Sequence, residues 1–579
     1  MRITDNNRNR QLIMVWPKLL LFMVVILLAG ICSVAAAGDI YTLEDVARTR
    51  WVDGVSVSPD GNNVAYILVV PRDPFEEDDG KAWKELHVSD LDGNSRPFIT
   101  GKVTIGSIDW TPDGKYISYL AEREDDTNKC LHIIPISGGE SQKVIEFPTS
   151  VSSYAWSPID GRVAFLAKDS IVEKIQILQD KGFDQKVYEE DWRQVRLWIY
   201  DTNGADDPQP FDLPGSPSSI NWSPDGSRLS LALAPTPLID DRYMYRKICI
   251  VDAVSGALLH KLDNPGKLGA MAWSPDSKHL AYITGADEND PSAGELMVAS
   301  VGDGQVWPVI ADFDGHVRDI AWLDGKTIIY RSDEHVHTPV MTIKIDGSSP
   351  KTILPAERPV VTDLDLSDNG KIAVFTGSDY NHQWELFYLK VGENKPRRLT
   401  NSNPWMDDKR FARQEVIRHN ARDGLELEGL LIHPLDEVEG KRYPLILIVH
   451  GGPEANRRDG WLTWYSSPGQ TAAARGFAVF YPNYRGSTGR GVPFSKMGQA
   501  DYAGGEFNDL VDAVDHLVEI GLVDKDKVGI TGGSYGGYAT AWGSTALTEH
   551  FAAGVMAVGI SDLISKFGTT DIPQEMFLV

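Results

Sequence analysis

One short phrase recurs through the first two thirds of the chain and restricts the fold more than any other feature. It reads Val57-Ser58-Pro59-Asp60-Gly61, Trp110-Thr111-Pro112-Asp113-Gly114, Trp156-Ser157-Pro158-Ile159-Asp160-Gly161, Trp222-Ser223-Pro224-Asp225-Gly226 and Trp273-Ser274-Pro275-Asp276-Ser277. Two degraded copies follow, Trp322-Leu323-Asp324-Gly325 and Leu366-Ser367-Asp368-Asn369-Gly370. Proline presets φ and Asp-Gly supplies a tight reversal, so the phrase reads as a hairpin turn. An apolar strand such as Gly269–Trp273 precedes it, and an alternating strand such as Leu280–Ile283 follows. Further strands such as Leu197–Asp201 and Ile248–Asp252 bring each unit to about four. Four-stranded units about 45 to 65 residues apart predict propeller blades, and seven copies predict seven of them. The widest gap, between Pro158 and Pro224, holds an insertion near Ile171–Val195. The tryptophans and prolines of the phrase are read as blade packing, not chemistry.

The texture changes after Thr400. Glu415–His419 and Leu425–His433 read as strands around an Arg422-Asp423-Gly424 turn, and Leu445–Val449 and Ala478–Tyr481 as buried strands. Phe507–Val523 has helical spacing, Val528–Ile530 is a short strand and Ala553–Ile560 another. Strands alternating with helices indicate a mostly parallel sheet with crossover helices. Within it lies Gly532-Gly533-Ser534-Tyr535-Gly536-Gly537, a G-x-S-x-G pattern between a strand and the helical stretch Tyr538–Leu547. A sharp turn there lifts a serine hydroxyl clear of the sheet, so Ser534 is the candidate nucleophile. A phosphate loop would need a lysine after the glycines, and none is present. His450-Gly451-Gly452-Pro453 follows the strand Leu445–Val449. Its backbone can aim an N–H at a tetrahedral oxyanion, so Gly452 and Tyr535 are the expected oxyanion donors. His450 is read as structural.

These segments, with Pro482-Asn483-Tyr484-Arg485-Gly486-Ser487-Thr488-Gly489 and the opening Thr42-Leu43-Glu44-Asp45, resemble the prolyl oligopeptidase family of serine peptidases, in its acylaminoacyl-peptidase and dipeptidyl-peptidase-like branch. The resemblance implies a seven-bladed all-β propeller that sieves substrates, followed by a partial α/β-hydrolase domain that cleaves oligopeptides near the N-terminus. The expected division is 1–37 as a signal peptide or anchor, 38–412 as propeller and 413–579 as hydrolase. Arg490 departs from the aromatic that often follows Ser-Thr-Gly, which puts a substrate contact there in doubt. In this fold the triad runs serine, acid, histidine. The one histidine after Ser534 is His550, and it falls before the strand Ala553–Ile560, too early for a triad base; Asp562 and Asp571 are also early. The triad aspartate and histidine are therefore expected to be lacking from this chain, a fragment being favoured over a truncated product.

Arg2, Arg8, Arg10 and Lys18 precede an apolar run from Leu19 to Ile31 and then Ala35-Ala36-Ala37. This is the pattern of a secretory signal cleaved after Ala37, with an uncleaved anchor over residues 12–34 as the alternative. Export to the periplasm or outside leaves Cys130 and Cys249 as an even pair, which permits one disulfide or two separate buried thiols. A net charge of −26 argues against nucleic acid as a partner. Neither a metal nor another cofactor is expected, self-association is left open, and the membrane enters only through an uncleaved anchor. Glu189 and Glu190 could together hold a peptide ammonium group, although a solvated loop tip is the simpler reading. The expected function is peptide hydrolysis through an acyl-enzyme on Ser534. The alternatives are an inert propeller that binds peptides and an esterase using the same elbow.

Overall fold

The structure is a computed structural model that describes residues 38–123, 125–204 and 206–579. The basic-apolar leader lies outside these residues. Among the described residues, no helix is long and apolar enough to cross a membrane.

Seven four-stranded antiparallel sheets span Trp51 to Arg398, one for each copy of the turn phrase. In every blade the first strand is an edge and the second is the core. Asn63–Val70, Arg228–Ala234 and His279–Thr284 are buried over almost their whole length. The phrase works as a local hydrogen-bond unit. Ser58 Oγ donates to Asp60 Oδ1 at 2.6 Å and accepts from the Asn63 N–H at 3.0 Å, while Gly61 takes a φ of +76°. Thr111–Asp113, Ser223–Asp225 and Ser274–Asp276 repeat the bond at 2.6 to 2.7 Å.

The tryptophan of the phrase joins neighbouring blades. An edge strand leaves backbone carbonyls without a ladder partner, and the indole N–H supplies one. Trp110 donates to Ser56 O (3.0 Å), Trp222 to Ala155 O (3.0 Å), Trp273 to Asn221 O (3.2 Å) and Trp322 to Ala272 O (2.9 Å), each on the inner strand of the preceding blade. Trp156 reaches Ser118 Oγ in the same direction at 3.0 Å. The degraded seventh copy has Leu366 at this position and the first copy has Val57. Between blades seven and one the Val57 N–H instead meets Asp365 Oδ2 at 2.8 Å, beside an apolar cluster that includes Val52, Tyr66, Val374 and Leu386. The insertion in blade three forms an exposed helix, Glu173–Asp180. Cys130 and Cys249 are buried free thiols in the second and fourth blades, so the disulfide alternative is not realised.

Beyond the blades a six-stranded sheet forms from β1 (Gln414–Asn420), β2 (Glu426–Ile432), β3 (Tyr443–Val449), β4 (Ala478–Asn483), β5 (Val523–Gly533) and β6 (Ala553–Ala557). The order is β1-β2-β4-β3-β5-β6, antiparallel through β1, β2 and β4 and parallel from β4 to β6. Helices α1 (Gly505–Glu519) and α2 (Tyr535–Gly543) pack on one face through Phe507, Leu510, Val514, Tyr538 and Ala539 against Leu445, Leu447 and Ile530. The expected helix to Val523 stops at Glu519 because Gly521 turns at φ +86° and Val523 opens β5. Helix α2 begins three residues earlier than its apolar pattern suggests, since Tyr535, Gly536 and Gly537 are already helical.

The hydrolase sits on the propeller face where the inner strands begin, opposite the Asp-Gly turns. Trp464 meets Trp51 edge-on at 5.7 Å, the Gly489 N–H donates to His316 Nδ1 at 2.9 Å, and the Trp461 N–H donates to Ser378 Oγ at 3.3 Å. Arg358 clasps Asp459 through Nε (2.9 Å) and Nη2 (2.7 Å). A last helix, α3 (Pro573–Leu578), docks on the propeller, where the Asp240 carboxylate accepts the backbone N–H groups of Gln574 and Glu575 at 2.7 and 3.0 Å.

Candidate active site

Strand β5 runs into Gly532-Gly533, and the chain then reverses at Ser534 into α2. Ser534 takes φ +56° and ψ −119°, a left-handed conformation that side chains rarely adopt. The reversal is tight enough to exclude side chains on both flanks. A Cβ on Gly532 would lie 2.4 Å from Val449 O, and one on Gly536 would lie 2.1 Å from the same oxygen. One on Gly537 would meet Gly559 Cα at 2.6 Å. These distances explain why the motif needs glycine around the serine. Ser534 is exposed, its N–H is held by Ala557 O at 3.2 Å, and its hydroxyl hydrogen-bonds no protein group among the described residues.

The loop after β3 lies directly beside it. A Cβ on Gly451 would sit 3.2 Å from Ser534 Cβ and 3.8 Å from its Oγ, and Gly452 follows at φ +127°. The structure thus brings the Gly451–Gly452 loop and the Ser534–Tyr535 turn close together. The Tyr535 ring is fixed from below, with its hydroxyl donating to Glu506 Oε1 at 2.8 Å and the ring packing on Phe507 and Tyr538. Burial pushes the Glu506 carboxyl up, and its Oε2 has no hydrogen-bond partner among the described residues. Glu454, just past Pro453, is held up in the same way by burial. Neither carboxylate stands out in the sequence, because nothing in a lone Glu after a loop motif signals that it will be enclosed.

His450 is structural. It stacks on Tyr484 at 4.4 Å and its Nε2 lies 3.0 Å from Ser487 Oγ. Burial drives its pKa down to about 3, so it stays neutral. This contact ties the His450–Pro453 loop to the Tyr484–Gly489 loop, which Arg485 locks to Asp509 of α1 through Nε and Nη2 at 2.9 and 2.7 Å. Arg490 turns away to Glu426 O (2.7 Å) and the Phe494 ring (4.1 Å). His550 precedes β6, at the end of the sheet remote from the elbow. Gly529 pairs with Ala553 and Gly533 with Ala557, so the length of β6 separates it from Ser534, roughly 15 Å at strand rise. All 13 histidines fall among the described residues, and none hydrogen-bonds Ser534 Oγ.

Glu189 and Glu190 are exposed in a turn after the inserted helix. Their neighbour Tyr188 bridges from Ile239 N–H to Asp571 O, at 3.3 and 3.4 Å, but no hydrogen bond links either glutamate to the elbow. Among the described residues no group of three His, Cys, Asp or Glu is placed to hold a metal. A cavity of about 990 Å³ lies beside the sheet, lined by Ile446, Phe477, Val528 and Val555 among others, and does not include Ser534.

A seven-bladed propeller capped by an α/β-hydrolase domain with a serine elbow defines a class of serine hydrolases. The comparisons place the chain within it. Residues 463–577 match the prolyl oligopeptidase family. The chain is 26% identical to the uncharacterized peptidase YuxL of Bacillus subtilis, covering 92% of this chain and 84% of that one. It is 23% identical to dipeptidyl-peptidase 5 of Porphyromonas gingivalis, covering 92% and 81%. The fold is that of Pyrococcus horikoshii acylaminoacyl peptidase, with TM-score 0.75, 19% identity and coverage of 92% and 81%. Over residues 463–577 the chain is thus similar to the prolyl oligopeptidase family of serine peptidases, and the relatives it matches along most of its length are peptidases.

Proposed function

We propose that the protein hydrolyses short peptides through an acyl-enzyme on Ser534. The observation that carries this reading is an exposed, unbonded Ser534 hydroxyl on a strained turn, beside a loop so close that a Cβ on Gly451 would fall 3.2 Å from Ser534 Cβ. Ser534 Oγ adds to the scissile carbonyl, and the oxyanion that forms takes the N–H groups of Gly452 and Tyr535. Collapse expels the amine, and water then hydrolyses the ester. The names of the relatives, dipeptidyl-peptidase and acylaminoacyl peptidase, support removal of a short unit from the N-terminus. Export is proposed on the strength of the basic start, the apolar run and Ala35-Ala36-Ala37.

The attack requires a base for the Ser534 proton, and no histidine of the sequence is hydrogen-bonded to it. A positioned base contributes about 10²- to 10⁴-fold, so turnover by this chain alone should be lower by that factor. The same observation favours a second reading, a propeller that binds peptides without cleaving them. Incubation with a fluorophosphonate decides between them, with Ser534→Ala as the control. Labelling confined to Ser534 supports the nucleophile, and none at high probe concentration overturns it. Hydrolysis of simple esters with no amide cleavage would replace the peptidase assignment by an esterase.

A further inference from the structure

Where the propeller axis meets the hydrolase, charge is out of balance. The inner strand His316–Asp324 and its neighbour Thr327–Asp333 bring Arg318, Arg331, Asp319 and Asp333, and the loop after Gly452 adds Arg458. Three guanidinium groups face two carboxylates. Arg331 uses Nε on Asp319 (2.5 Å) and Nη1 on Asp333 Oδ1 (3.0 Å). Arg318 uses Nε on Asp333 Oδ2 (2.9 Å) and Nη1 on Ser292 Oγ (3.0 Å) and Ala293 O (3.2 Å).

Arg458 differs from both. Its ion-pair partner among the described residues is Asp333 Oδ1 at 3.5 Å, an oxygen that Arg331 already occupies. Its guanidinium makes no hydrogen bond to the described residues, and its side chain is 29% exposed against 6% for Arg331. Five N–H donors on a permanent cation are therefore without a hydrogen-bond partner among the described residues, on a side chain that is only part-exposed. A planar carboxylate is the group that such a fork binds best.

We infer that Arg458 anchors the free C-terminal carboxylate of a peptide lying across Ser534. The inference rests on the peptidase reading and names its substrate class, short peptides with an unblocked C-terminus. From Gly452 to Arg458 the backbone can span at most about 20 Å, which is the length of roughly six extended residues. A longer or amidated peptide gains nothing from the anchor.

The test is calorimetric titration of the full chain carrying Ser534→Ala, which blocks acylation, with alanine oligopeptides ending in a carboxylate or a carboxamide. The acid should bind about 10-fold more tightly, or about 1.4 kcal/mol. Arg458→Met should abolish the preference and Arg458→Lys keep part of it, with thermal unfolding confirming that both variants are folded. Equal affinity for acid and amide, no binding of either, or a preference that survives in Arg458→Met overturns the anchor. Fluorophosphonate labelling reports separately: a preserved carboxylate preference without labelling supports the anchor while removing the nucleophile.

Discussion

Replacing Ser534 by glycine should abolish acylation and yet make the protein more stable. At φ +56° and ψ −119° a residue with a Cβ is strained, at a cost of order 1–3 kcal/mol. The serine repays none of this, because its hydroxyl bonds to no described residue and its side chain is exposed. Glycine removes the strain but adds about 0.5–1 kcal/mol of chain entropy to the unfolded state. The net expectation is a gain of about 1 kcal/mol. Ser534→Ala is the control: it loses the hydroxyl, keeps the Cβ and should stay within about 0.5 kcal/mol of the parent. Urea unfolding of the three proteins, compared at equal m-values on the transition that reports the hydrolase sheet, isolates the strain as the difference between glycine and alanine. A glycine variant no more stable than the alanine variant would refute the claim that the elbow stores strain.

Trp222→Phe and Trp273→Phe each remove an indole donor from a neighbouring blade, so each should lower stability by about 1–2 kcal/mol, and their sum should hold in the double variant to within about 0.5 kcal/mol, as read from urea midpoints. Arg358→Ala leaves the buried Asp459 carboxylate with Gln414 as its remaining side-chain partner and should cost about 3–5 kcal/mol by thermal unfolding, more than the Arg358→Ala/Asp459→Ala pair. Burial holds His450 at about 3 and His316 and His419 at about 4. The unfolded imidazoles take up protons near 6.5, so stability should fall as pH drops from about 6.5 toward 4, and His419→Gln should make that slope shallower. His335 runs the other way. Its bond to Glu428 raises its pKa, so what it contributes is present below the ordinary imidazole value and lost as pH rises through the folded one, which unfolding of His335→Gln across that range would reveal.

The blades were legible because their turn chemistry is local. Ser, Pro, Asp and Gly fix a hairpin within a few residues, and the sequence repeats that fix often enough to count. The elbow was legible for the same reason, since its glycines answer to contacts a few residues or one strand away. What could not be read was whatever depends on distant segments meeting. Asp240 gives no hint that it caps α3, more than 300 residues later in the chain. The Arg318–Arg331–Arg458 cluster joins a propeller hairpin to a hydrolase loop, so its excess charge exists only after folding.

The indole bonds made by the turn phrase each reach back to the blade before, and they are missing on both sides of the seventh blade. That blade also meets the hydrolase, through Arg358 on Asp459 and the Trp461 N–H on Ser378 Oγ, beside contacts from the first and sixth blades. A pull that parts the two halves of the molecule is thus delivered in part to the segment of the ring that has no indole bond on either side. The propeller is built as an arc with a differently made clasp, and the hydrolase holds that clasp together with the blades on either side of it.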